Sequence, residues 1–271
     1  MINTSTRLYC IFGNPVSHSR SPEIHNAWFS ENSVNAVYMA FEIKDIDQGI
    51  QAIRSLDIKG ASITIPFKES VMQFLDHIDE DAVKIGAVNT IVNRNGKLEG
   101  FNTDCKAGVD PLNSIGIKNK KVCIVGAGGA AHAIAHGIHM HGGRLVIVNR
   151  NRNRGMKLAA KYNGRFIAMD DMAGLSLIQP DILINATSMG MIPDIDVCPF
   201  PPEFIRSGMV VMDIVYTPEN TILLSYARKK GCTTIDGTAM FMYQAAEQFR
   251  LWTGILPDIK SMKNISDRRK Q

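Results

Sequence analysis

The sequence predicts an α/β protein that is divided into two domains. Short runs of β-branched and apolar residues, typical of buried strands, alternate with stretches in which apolar residues recur every three to four positions, as in amphipathic helices. One of the strand-like runs, residues 122–125, leads straight into a glycine-rich turn. A chain of 271 residues is long enough for two ordinary domains, each with its own core.

The composition excludes several classes of protein. Hydrophobic residues make up 45% and charged residues 21%, as in soluble globular proteins. The net charge of +4 is too small and too dispersed to favour nucleic acid as a partner. The N-terminus lacks a signal-peptide pattern, and no apolar run approaches membrane-spanning length. The five cysteines are scattered without a C-x-x-C pair. We therefore expect a protein of the reducing cytoplasm that binds neither nucleic acid nor membrane.

The first part of the chain predicts a sheet with flanking helices. Ser21 followed by Pro22 is typical of a helix start, with Ser21 as the N-cap. Asn95-Gly96 is a strong hairpin signal between a strand ending at residue 92 and the next one. Strands are predicted over residues 7–12, 37–43, 61–65 and 97–101, and helices over 46–56 and from about 105 to 115.

Polar side chains stand where these strands end. Ser19 and Ser21 follow the first strand, and Lys68 follows the third at the entry to a helix. A lysine in the first turn of a helix is unfavourable against the helix dipole, so Lys68 is expected to have a partner. Asn89 and Asp104 would project from neighbouring strand ends, one hairpin apart. Open α/β sheets bind ligands at such strand ends, although each residue alone is also explained as a turn, cap or surface residue.

The glycine-rich turn has the spacing of a dinucleotide-binding motif. Gly126, Gly128 and Ala131 form G-x-G-x-x-A between a strand and a helix, which favours a Rossmann-type domain over an ordinary tight turn. Gly126 permits the turn, Gly128 lets a pyrophosphate approach the backbone, and Ala131 lets the helix pack close to the strand. The helix N-terminus offers unpaired N–H groups to the phosphates. Further strands are predicted over residues 144–148, 181–184, 209–215 and 233–235, and a closing helix over 239–252.

The residues after the second strand of this domain indicate the type of cofactor. A protein that binds NAD would carry Asp or Glu near this point, whereas this chain has Asn149 followed by residues 150–154, RNRNR. Three arginines at a helix N-terminus are unfavourable unless an anion is supplied, and the 2′-phosphate of NADP is such an anion. The alternative is an exposed charged face. The pattern therefore predicts NADP as the cofactor.

The helix after the glycine turn carries a histidine cluster. His132, His136 and His139 are spaced so that they lie on one helix face, as ligands of a metal would. They fall beside the apolar stripe, and the sequence offers no nearby carboxylate or cysteine to complete a site. We expect an exposed histidine-rich flank and no metal.

Several motifs together make the chain resemble the shikimate dehydrogenase family, over essentially its whole length. Asn149, Arg150 and Arg154 match the Asn-Arg-x-x-x-Arg of the NADP-binding members. Ser62 and Ile63 depart from the Asn and Val expected in the second motif. The motifs are GNPVSHSRSPEIHN (13–26), GASITIPFK (60–68), GAVNTI (86–91), GFNTD (100–104), NATSMGM (185–191) and QAAEQFRLWTG (244–254).

The resemblance implies the reversible, NADPH-dependent reduction of 3-dehydroshikimate to shikimate, a step in aromatic amino acid biosynthesis. Lys68 and Asp104 would be catalytic, and which of them exchanges the proton is left open. The substrate would be bound by Ser19, Ser21, Thr64, Asn89, Tyr216 and Gln244. NADP would be bound by Gly126, Ala127, Gly128, Gly129, Ala130, Asn149, Arg150, Arg154, Thr187, Ile214, Gly237 and Met240.

The resemblance also implies how the chain is divided. Residues 1–104 would form the substrate domain and residues 105–236 the NADP-binding Rossmann domain, while the helical segment 237–271 would return to the first domain. Two other functions stay open, namely a quinate/shikimate dehydrogenase of broader range and a regulatory paralogue that has lost catalysis. The presence of both Lys68 and Asp104 argues against the paralogue. The protein would be a monomer or a homodimer.

Overall fold

The computed structural model describes residues 2–17 and 19–259, and the chain divides into two compact units. One unit joins Met1–Thr103 with Met242–Gln271, and we call it the discontinuous unit. The other, Asp104–Phe241, is the central unit. Residues 260–271, the end of the predicted C-terminal segment, lie outside the described residues. Each unit contains its own sheet with helices, so the predicted fold class is confirmed.

The discontinuous unit contains a mixed sheet of six strands. In chain order these are β1 (Arg7–Gly13), β2 (Ala36–Glu42), β3 (Gly60–Ile63), β4 (His77–Ile78), β5 (Thr90–Arg94) and β6 (Lys97–Phe101). In the sheet they lie in the order β2-β1-β3-β5-β6-β4, with β1 parallel to β2 and β3 and β5 antiparallel to β3 and β6. The helices that accompany these strands are α1 (Ser21–Glu31), α2 (Ile46–Ser55) and α3 (Glu80–Ile85), with a 3₁₀ helix at Ser70–Phe74.

The predicted hairpin joins β5 to β6. Asn95 and Gly96 have φ values of 55° and 88°, the two positive angles that a tight two-residue hairpin turn requires. The Asn93 side chain accepts a hydrogen bond from Gly96 N at 2.8 Å and closes the turn. The resulting register pairs Thr90 with Phe101. The residues just beyond this pair, on both strands, are therefore brought side by side.

The central unit contains an all-parallel sheet of six strands. In chain order these are β7 (Lys121–Val125), β8 (Arg144–Asn149), β9 (Arg165–Ala168), β10 (Ile182–Asn185), β11 (Val210–Asp213) and β12 (Thr233–Ile235). They lie in the order β9-β8-β7-β10-β11-β12, which is the strand order of a Rossmann fold. The helices are α4 (Asp104–Val109), α5 (Gly129–Met140), α6 (Arg152–Lys161), α7 (Met172–Ile178) and α8 (Ile222–Lys229).

One predicted helix was wrong in length. The helix expected from about 105 to 115 stops at Val109, and a 3₁₀ turn follows at Asp110–Leu112. Pro111 explains the change, because proline has no N–H to donate inside a helix and its ring clashes with the preceding turn. Strands β4 and β9 and helices α3 and α7 were missed in the sequence. Within the described residues, no helix combines the length and the apolar character that crossing a membrane requires.

The last helix, α9 (Gly237–Thr253), packs its second part against the sheet of the discontinuous unit, to which its residues from Met242 onward belong. The indole Nε1 of Trp252 donates a hydrogen bond to the Ile91 carbonyl at 2.9 Å. Gly60 permits this close approach, because a Cβ atom there would lie 2.3 Å from Trp252 Nε1. The helix is thereby fixed to the centre of the sheet.

His25 lies inside the aromatic cluster beneath this helix. Its ring stacks on Tyr38 at a centroid distance of 4.5 Å, and the ring of Trp252 lies 5.0 Å away. The side chain is 0% exposed, and burial lowers the pKa of His25 to about 3. The folded protein therefore keeps this imidazole neutral at every ordinary pH.

This burial predicts a loss of stability in mild acid. Below about pH 6.5 the unfolded chain protonates His25 whereas the folded chain does so only near pH 3, so the free energy of unfolding falls as the pH falls between these values. The contribution approaches about 1.4 kcal/mol per pH unit. Urea unfolding at pH 6.0 and 5.0 should show a steeper loss for the unmodified protein than for His25→Phe. The exposed His77→Gln is the control, and equal slopes for the unmodified protein and His25→Phe would contradict the prediction.

Candidate active site

The turns after β1 and β3 lie against each other in the discontinuous unit. Asn14 N donates to the Ile65 carbonyl at 2.9 Å, and Thr64 N donates to the Phe12 carbonyl at 3.0 Å. Gly13 allows this contact, because a Cβ atom there would lie 2.3 Å from Thr64 Cγ2. The structure thus places Thr64 beside the start of the loop that carries the predicted serines.

Those serines begin helix α1 in a way that differs from the prediction. Arg20, not Ser21, occupies the N-cap, and Ser21 is the first helical residue, followed by Pro22. The N–H of Ser21 donates to the hydroxyl of Ser19 at 3.3 Å. The cap prediction was wrong because the chain turns into the helix one residue earlier, but this hydrogen bond keeps the two predicted substrate residues together.

Lys68 lies on a turn that is tied to the segment before β5. Its carbonyl accepts from Val88 N at 2.8 Å, and Ile63 N donates to the Asn89 carbonyl at 2.8 Å. The residue stands before the 3₁₀ helix that starts at Ser70, so it does not lie in the first turn of a helix as predicted. These two backbone bonds place Lys68 and Asn89 on adjacent segments of the same unit.

The carboxamide of Asn89 ties the two ends of the hairpin together. Its Oδ1 accepts from Thr103 N at 2.9 Å, and its Nδ2 donates to Thr103 Oγ1 at 2.9 Å. Asn89 is 2% exposed. Asp104, the next residue along the chain, is also buried and begins α4 at the start of the central unit.

The other two predicted substrate residues lie in different units. Gln244 is half-buried on the part of α9 that belongs to the discontinuous unit. Tyr216 belongs to the central unit, where its ring stacks on Phe241 at a centroid distance of 4.5 Å and an angle of 20°. Ser19, Ser21, Thr64, Lys68, Asn89 and Gln244 therefore share one unit, whereas Asp104 and Tyr216 belong to the other.

The glycine turn of the central unit has the geometry that its spacing predicts. Gly126 has φ of 121°, and a Cβ atom there would lie 2.9 Å from the Ala186 carbonyl oxygen and 3.0 Å from Thr187 Cγ2. Gly128 is the N-cap of α5, and a Cβ atom there would have no protein atom within 4 Å among the described residues. Gly126 is thus required by the protein itself, while Gly128 leaves open space in front of the helix N-terminus.

Further predicted cofactor residues line the same edge of the sheet. A Cβ atom on Gly237 would lie 2.5 Å from the Ile214 carbonyl oxygen, so these two residues are in direct contact. Met240 is buried in one core cluster with Ala127. Gly126, Asn149, Thr187, Ile214 and Gly237 each follow or end a different parallel strand. They therefore gather at the carboxyl edge, where Rossmann sheets bind their ligands.

Of the three arginines after β8, one already has an anionic partner. Arg152 donates from one guanidinium nitrogen to both carboxylate oxygens of Asp170, at 2.9 and 3.1 Å. Arg150 and Arg154 are exposed on either side of it. Asn149 Nδ2 donates to the carbonyl of Asn151 at 2.8 Å, which fixes the turn that starts α6. Arg150 and Arg154 remain the predicted ligands of a 2′-phosphate.

Comparison with known proteins identifies the family of this chain. A relative from Pyrococcus furiosus named shikimate dehydrogenase (NADP(+)) is 43% identical over 272 residues, which cover 98% of this chain and 97% of the relative. The chain belongs to the shikimate dehydrogenase family. Models of the shikimate dehydrogenase substrate binding domain, shikimate/quinate 5-dehydrogenase and the shikimate 5′-dehydrogenase C-terminal domain match residues 11–91, 112–193 and 237–265.

Solved structures agree with the family over nearly the whole length. A shikimate dehydrogenase crystallised in complex with NADP⁺ has a TM-score of 0.90 and 40% identity, covering 99% of this chain and 97% of that one. A quinate dehydrogenase from Corynebacterium glutamicum in complex with NAD has a TM-score of 0.85 and 32% identity, covering 96% of this chain and 98% of that one. The family predicted from the motifs is confirmed.

Sequence analysis missed a buried carboxylate that joins two strand ends of the central unit. Asp213 is 0% exposed, and its burial raises the pKa of the carboxyl. It accepts hydrogen bonds from Asn185 Nδ2 at 2.9 Å and from Thr221 Oγ1 at 2.7 Å. Asn185 Oδ1 in turn accepts from Thr187 Oγ1 at 2.7 Å. Asn185 and Asp213 each stand at the end of an apolar strand, and this shared position is the sequence signal from which the network could have been predicted.

The histidine cluster differs from the predicted exposed flank. His136 is buried, and its ring lies 5.9 Å from that of Tyr162. His139 is exposed and lies 5.3 Å from the same ring. The prediction was wrong for His136, because its side of α5 packs against the tyrosine. Among the described residues, no group of three or more His, Cys, Asp or Glu side chains could hold a metal ion.

The two glycines of the turn predict opposite effects of alanine. Gly126→Ala should destabilise the fold by about 1–3 kcal/mol, because of its positive φ and its contact with Ala186. Gly128→Ala meets no protein atom and should leave the melting temperature within about 3 °C. It should weaken NADP binding by at least about tenfold, because the methyl group would stand in front of the helix N-terminus. Calorimetric titration with NADP measures this, and unchanged affinity in Gly128→Ala would refute the role of that space.

Proposed function

We propose that the chain catalyses the reversible, NADPH-dependent reduction of 3-dehydroshikimate to shikimate. The supporting observation is that the chain is 43% identical, over 98% of its length, to a relative named shikimate dehydrogenase (NADP(+)). Its fold also matches that of a shikimate dehydrogenase in complex with NADP⁺ with a TM-score of 0.90. An assay that follows the absorbance of the reduced cofactor tests the proposal. Shikimate and quinate are each assayed with NADP and with NAD. Absence of turnover with shikimate and NADP would refute it.

The chemistry assigns roles to two residues. Reducing a ketone places negative charge on its oxygen, and that oxygen must gain a proton; NADPH, when bound, supplies the hydride. The ammonium group of Lys68 can stabilise the developing alkoxide and donate the proton. We assign Asp104 the second catalytic role, with its carboxylate accepting a hydrogen bond from a ring hydroxyl.

The remaining assignments follow the functional groups of the two ligands. Shikimate is a polyhydroxylated acid, which needs directional donors and acceptors, and we assign these to Ser19, Ser21, Thr64, Asn89, Tyr216 and Gln244. We assign NADP to the carboxyl edge of the central sheet, with Arg150 and Arg154 on the 2′-phosphate. Residues 1–104 and 237–271 would then form the substrate domain, and 105–236 the cofactor domain. A cytoplasmic location and a monomer or homodimer complete the proposal, and light scattering tests the latter.

A quinate dehydrogenase of broader range is the second candidate. It is favoured by the 32% identity to a solved quinate dehydrogenase. The substrates differ by few ring substituents, and the same polar side chains suit both. The ratio of kcat/KM for shikimate to that for quinate separates the two candidates. A catalytically silent paralogue is disfavoured, because binding a regulator requires neither Lys68 nor Asp104.

Removing the charge of Lys68 should abolish most turnover. Lys68→Met keeps the length of the side chain but lacks the cation, so kcat should fall by about 10²–10⁴. KM for NADP should change by less than about threefold, because the cofactor residues lie elsewhere in the sequence. Steady-state kinetics measure both values, with Lys84→Met, in an exposed pair with Glu80, as the control. A Lys68→Met protein with near-normal kcat would remove the assignment.

Arg150 and Arg154 should set the preference for the phosphorylated cofactor. Each hydrogen bond to a charged group contributes about 1.5–3 kcal/mol. Two such bonds, reduced by half for solvent screening at an open site, correspond to about a ten- to a hundredfold difference in affinity. We expect kcat/KM for NADP to exceed that for NAD by at least about tenfold and the ratio to fall with added salt.

A matched variant separates the roles of neighbouring arginines. Arg150→Ala with Arg154→Ala should raise KM for NADP by at least about tenfold and leave turnover with NAD nearly unchanged. Arg152→Ala is the control, because Arg152 is paired with Asp170. Equal use of both cofactors by the unmodified enzyme would mean that these arginines are only a solvated face.

A further inference from the structure

A chain of buried hydrogen bonds crosses the discontinuous unit beneath its sheet. Tyr38 Oη lies 2.6 Å from Ser62 Oγ, and Ser62 Oγ lies 2.7 Å from Gln248 Oε1. Tyr38 and Gln248 are each 1% exposed, and Ser62 is also buried. Three polar side chains from β2, β3 and α9 thus meet without access to water.

The chain continues from α9 to the site. Gln248 Nε2 donates to the Asn89 carbonyl at 3.2 Å and to Thr90 Oγ1 at 3.1 Å. Thr90 Oγ1 donates to Asn89 Oδ1 at 2.7 Å. Thr90 is fully buried, so its hydroxyl has no solvent to turn towards. The last group in the chain is therefore the carboxamide that we assign to the substrate.

The direction of every bond in this chain is fixed by backbone groups. The Asn89 carbonyl can only accept, so the amide nitrogen of Gln248 faces it and the amide oxygen faces Ser62. Ser62 must then donate to Gln248 and accept from Tyr38. Thr90 accepts from Gln248, which leaves its single hydroxyl hydrogen for Asn89.

The same reasoning fixes the orientation of Asn89. The backbone N–H of Thr103 can only donate, so the atom that faces it is Asn89 Oδ1. That oxygen accepts from both Thr103 and Thr90, while the nitrogen donates to Thr103 Oγ1. If Thr90 did not donate, the carboxamide would lose one of the bonds that holds it in this orientation.

We propose that Gln248, acting through Thr90 and supported by Ser62, is a positioning residue for Asn89. It holds the carboxamide so that a substrate meets the donor nitrogen of Asn89 and not its oxygen. The matching substrate group is an oxygen that accepts a hydrogen bond, such as a ring hydroxyl. This inference rests on the proposed function only in taking Asn89 as a substrate contact.

We call the hydrogen bonds that run from Ser62 through Gln248 and Thr90 to Asn89 the relay. The kinetic test compares variants that alter this relay with one that alters α9 elsewhere. Gln248→Met and Thr90→Val should raise KM for shikimate by about tenfold and leave KM for NADP within about twofold. Thr90→Ser, which restores the hydroxyl, should keep the KM of the unmodified enzyme. Trp252→Phe is the control, because it removes a buried bond from α9 to the Ile91 carbonyl without touching Asn89.

The double variant gives a second criterion. If both residues act through Asn89, Gln248→Met combined with Thr90→Val should raise KM for shikimate no more than either change alone. An unchanged KM in folded Thr90→Val would overturn the proposal, and so would an equal rise in Trp252→Phe. Thr90→Val keeps the shape of the side chain, so it decides the question if Gln248→Met fails to fold.

A measurement without substrate separates this proposal from the proposed function. In protein labelled with ¹⁵N-asparagine, the side-chain amide signal of Asn89 can be assigned by its loss in Asn89→Ala. Its hydrogens should exchange with solvent at least about tenfold faster in Thr90→Val and Gln248→Met than in Trp252→Phe. Equal exchange in all three would overturn the relay. An unmodified enzyme that shows the protected signal but does not turn over shikimate would refute the function and leave the positioning role standing.

Discussion

A polar side chain at the end of a buried strand cannot reach water, so it must find its hydrogen-bond partners inside the protein. Leaving such a group unsatisfied costs about 1–3 kcal/mol, a large part of the stability of an ordinary domain. Asn185 and Asp213 end adjacent strands of the central unit, are both fully buried, and bond to each other. Asn89 lies just before β5 in the discontinuous unit and satisfies its carboxamide through Thr103 and Thr90. Both candidate binding edges are built under this one constraint.

The same constraint fixes the orientation of side chains at these edges. Once Asp213 accepts from Asn185, the oxygen of that asparagine is left to hold Thr187, a residue assigned to the cofactor. Once Gln248 donates to a backbone carbonyl, its oxygen is left for Ser62 and its second hydrogen for Thr90. In each case a residue that need not touch a ligand decides which atom of a neighbouring side chain is presented. Stability and orientation therefore have a common origin in each unit.

Much of the fold could be predicted because strands, hairpins and glycine turns are local patterns. The hairpin could be predicted from Asn95-Gly96 alone, because both residues tolerate the positive φ that the turn requires. The glycine turn could be predicted from the spacing of Gly126 and Gly128. The errors arose where a partner distant in the sequence or an adjacent residue decided the outcome, as with the burial of His136 against Tyr162. The relay could not be predicted for the same reason, since Asn89 and Gln248 are 159 residues apart in the sequence. The sequence shows that Gln248 is a polar residue on a helix, but not that its side chain bonds to the Asn89 carbonyl.

This difference explains why the sequence predicts the cofactor more sharply than the substrate. Phosphate recognition depends on glycine geometry, a helix N-terminus and net charge, all of which can be read from neighbouring residues. Arg152 is paired with Asp170, and we propose that the neighbouring Arg150 and Arg154 bind the 2′-phosphate. Discriminating one ring hydroxyl from another depends instead on which way a buried amide points. The orientation of Asn89 follows from the Thr103 N–H and the Thr90 hydroxyl, which both donate to its amide oxygen. If Asn89 binds the substrate as we propose, the hydrogen-bonding group that it presents therefore depends on tertiary contacts and not on the identity of Asn89 alone.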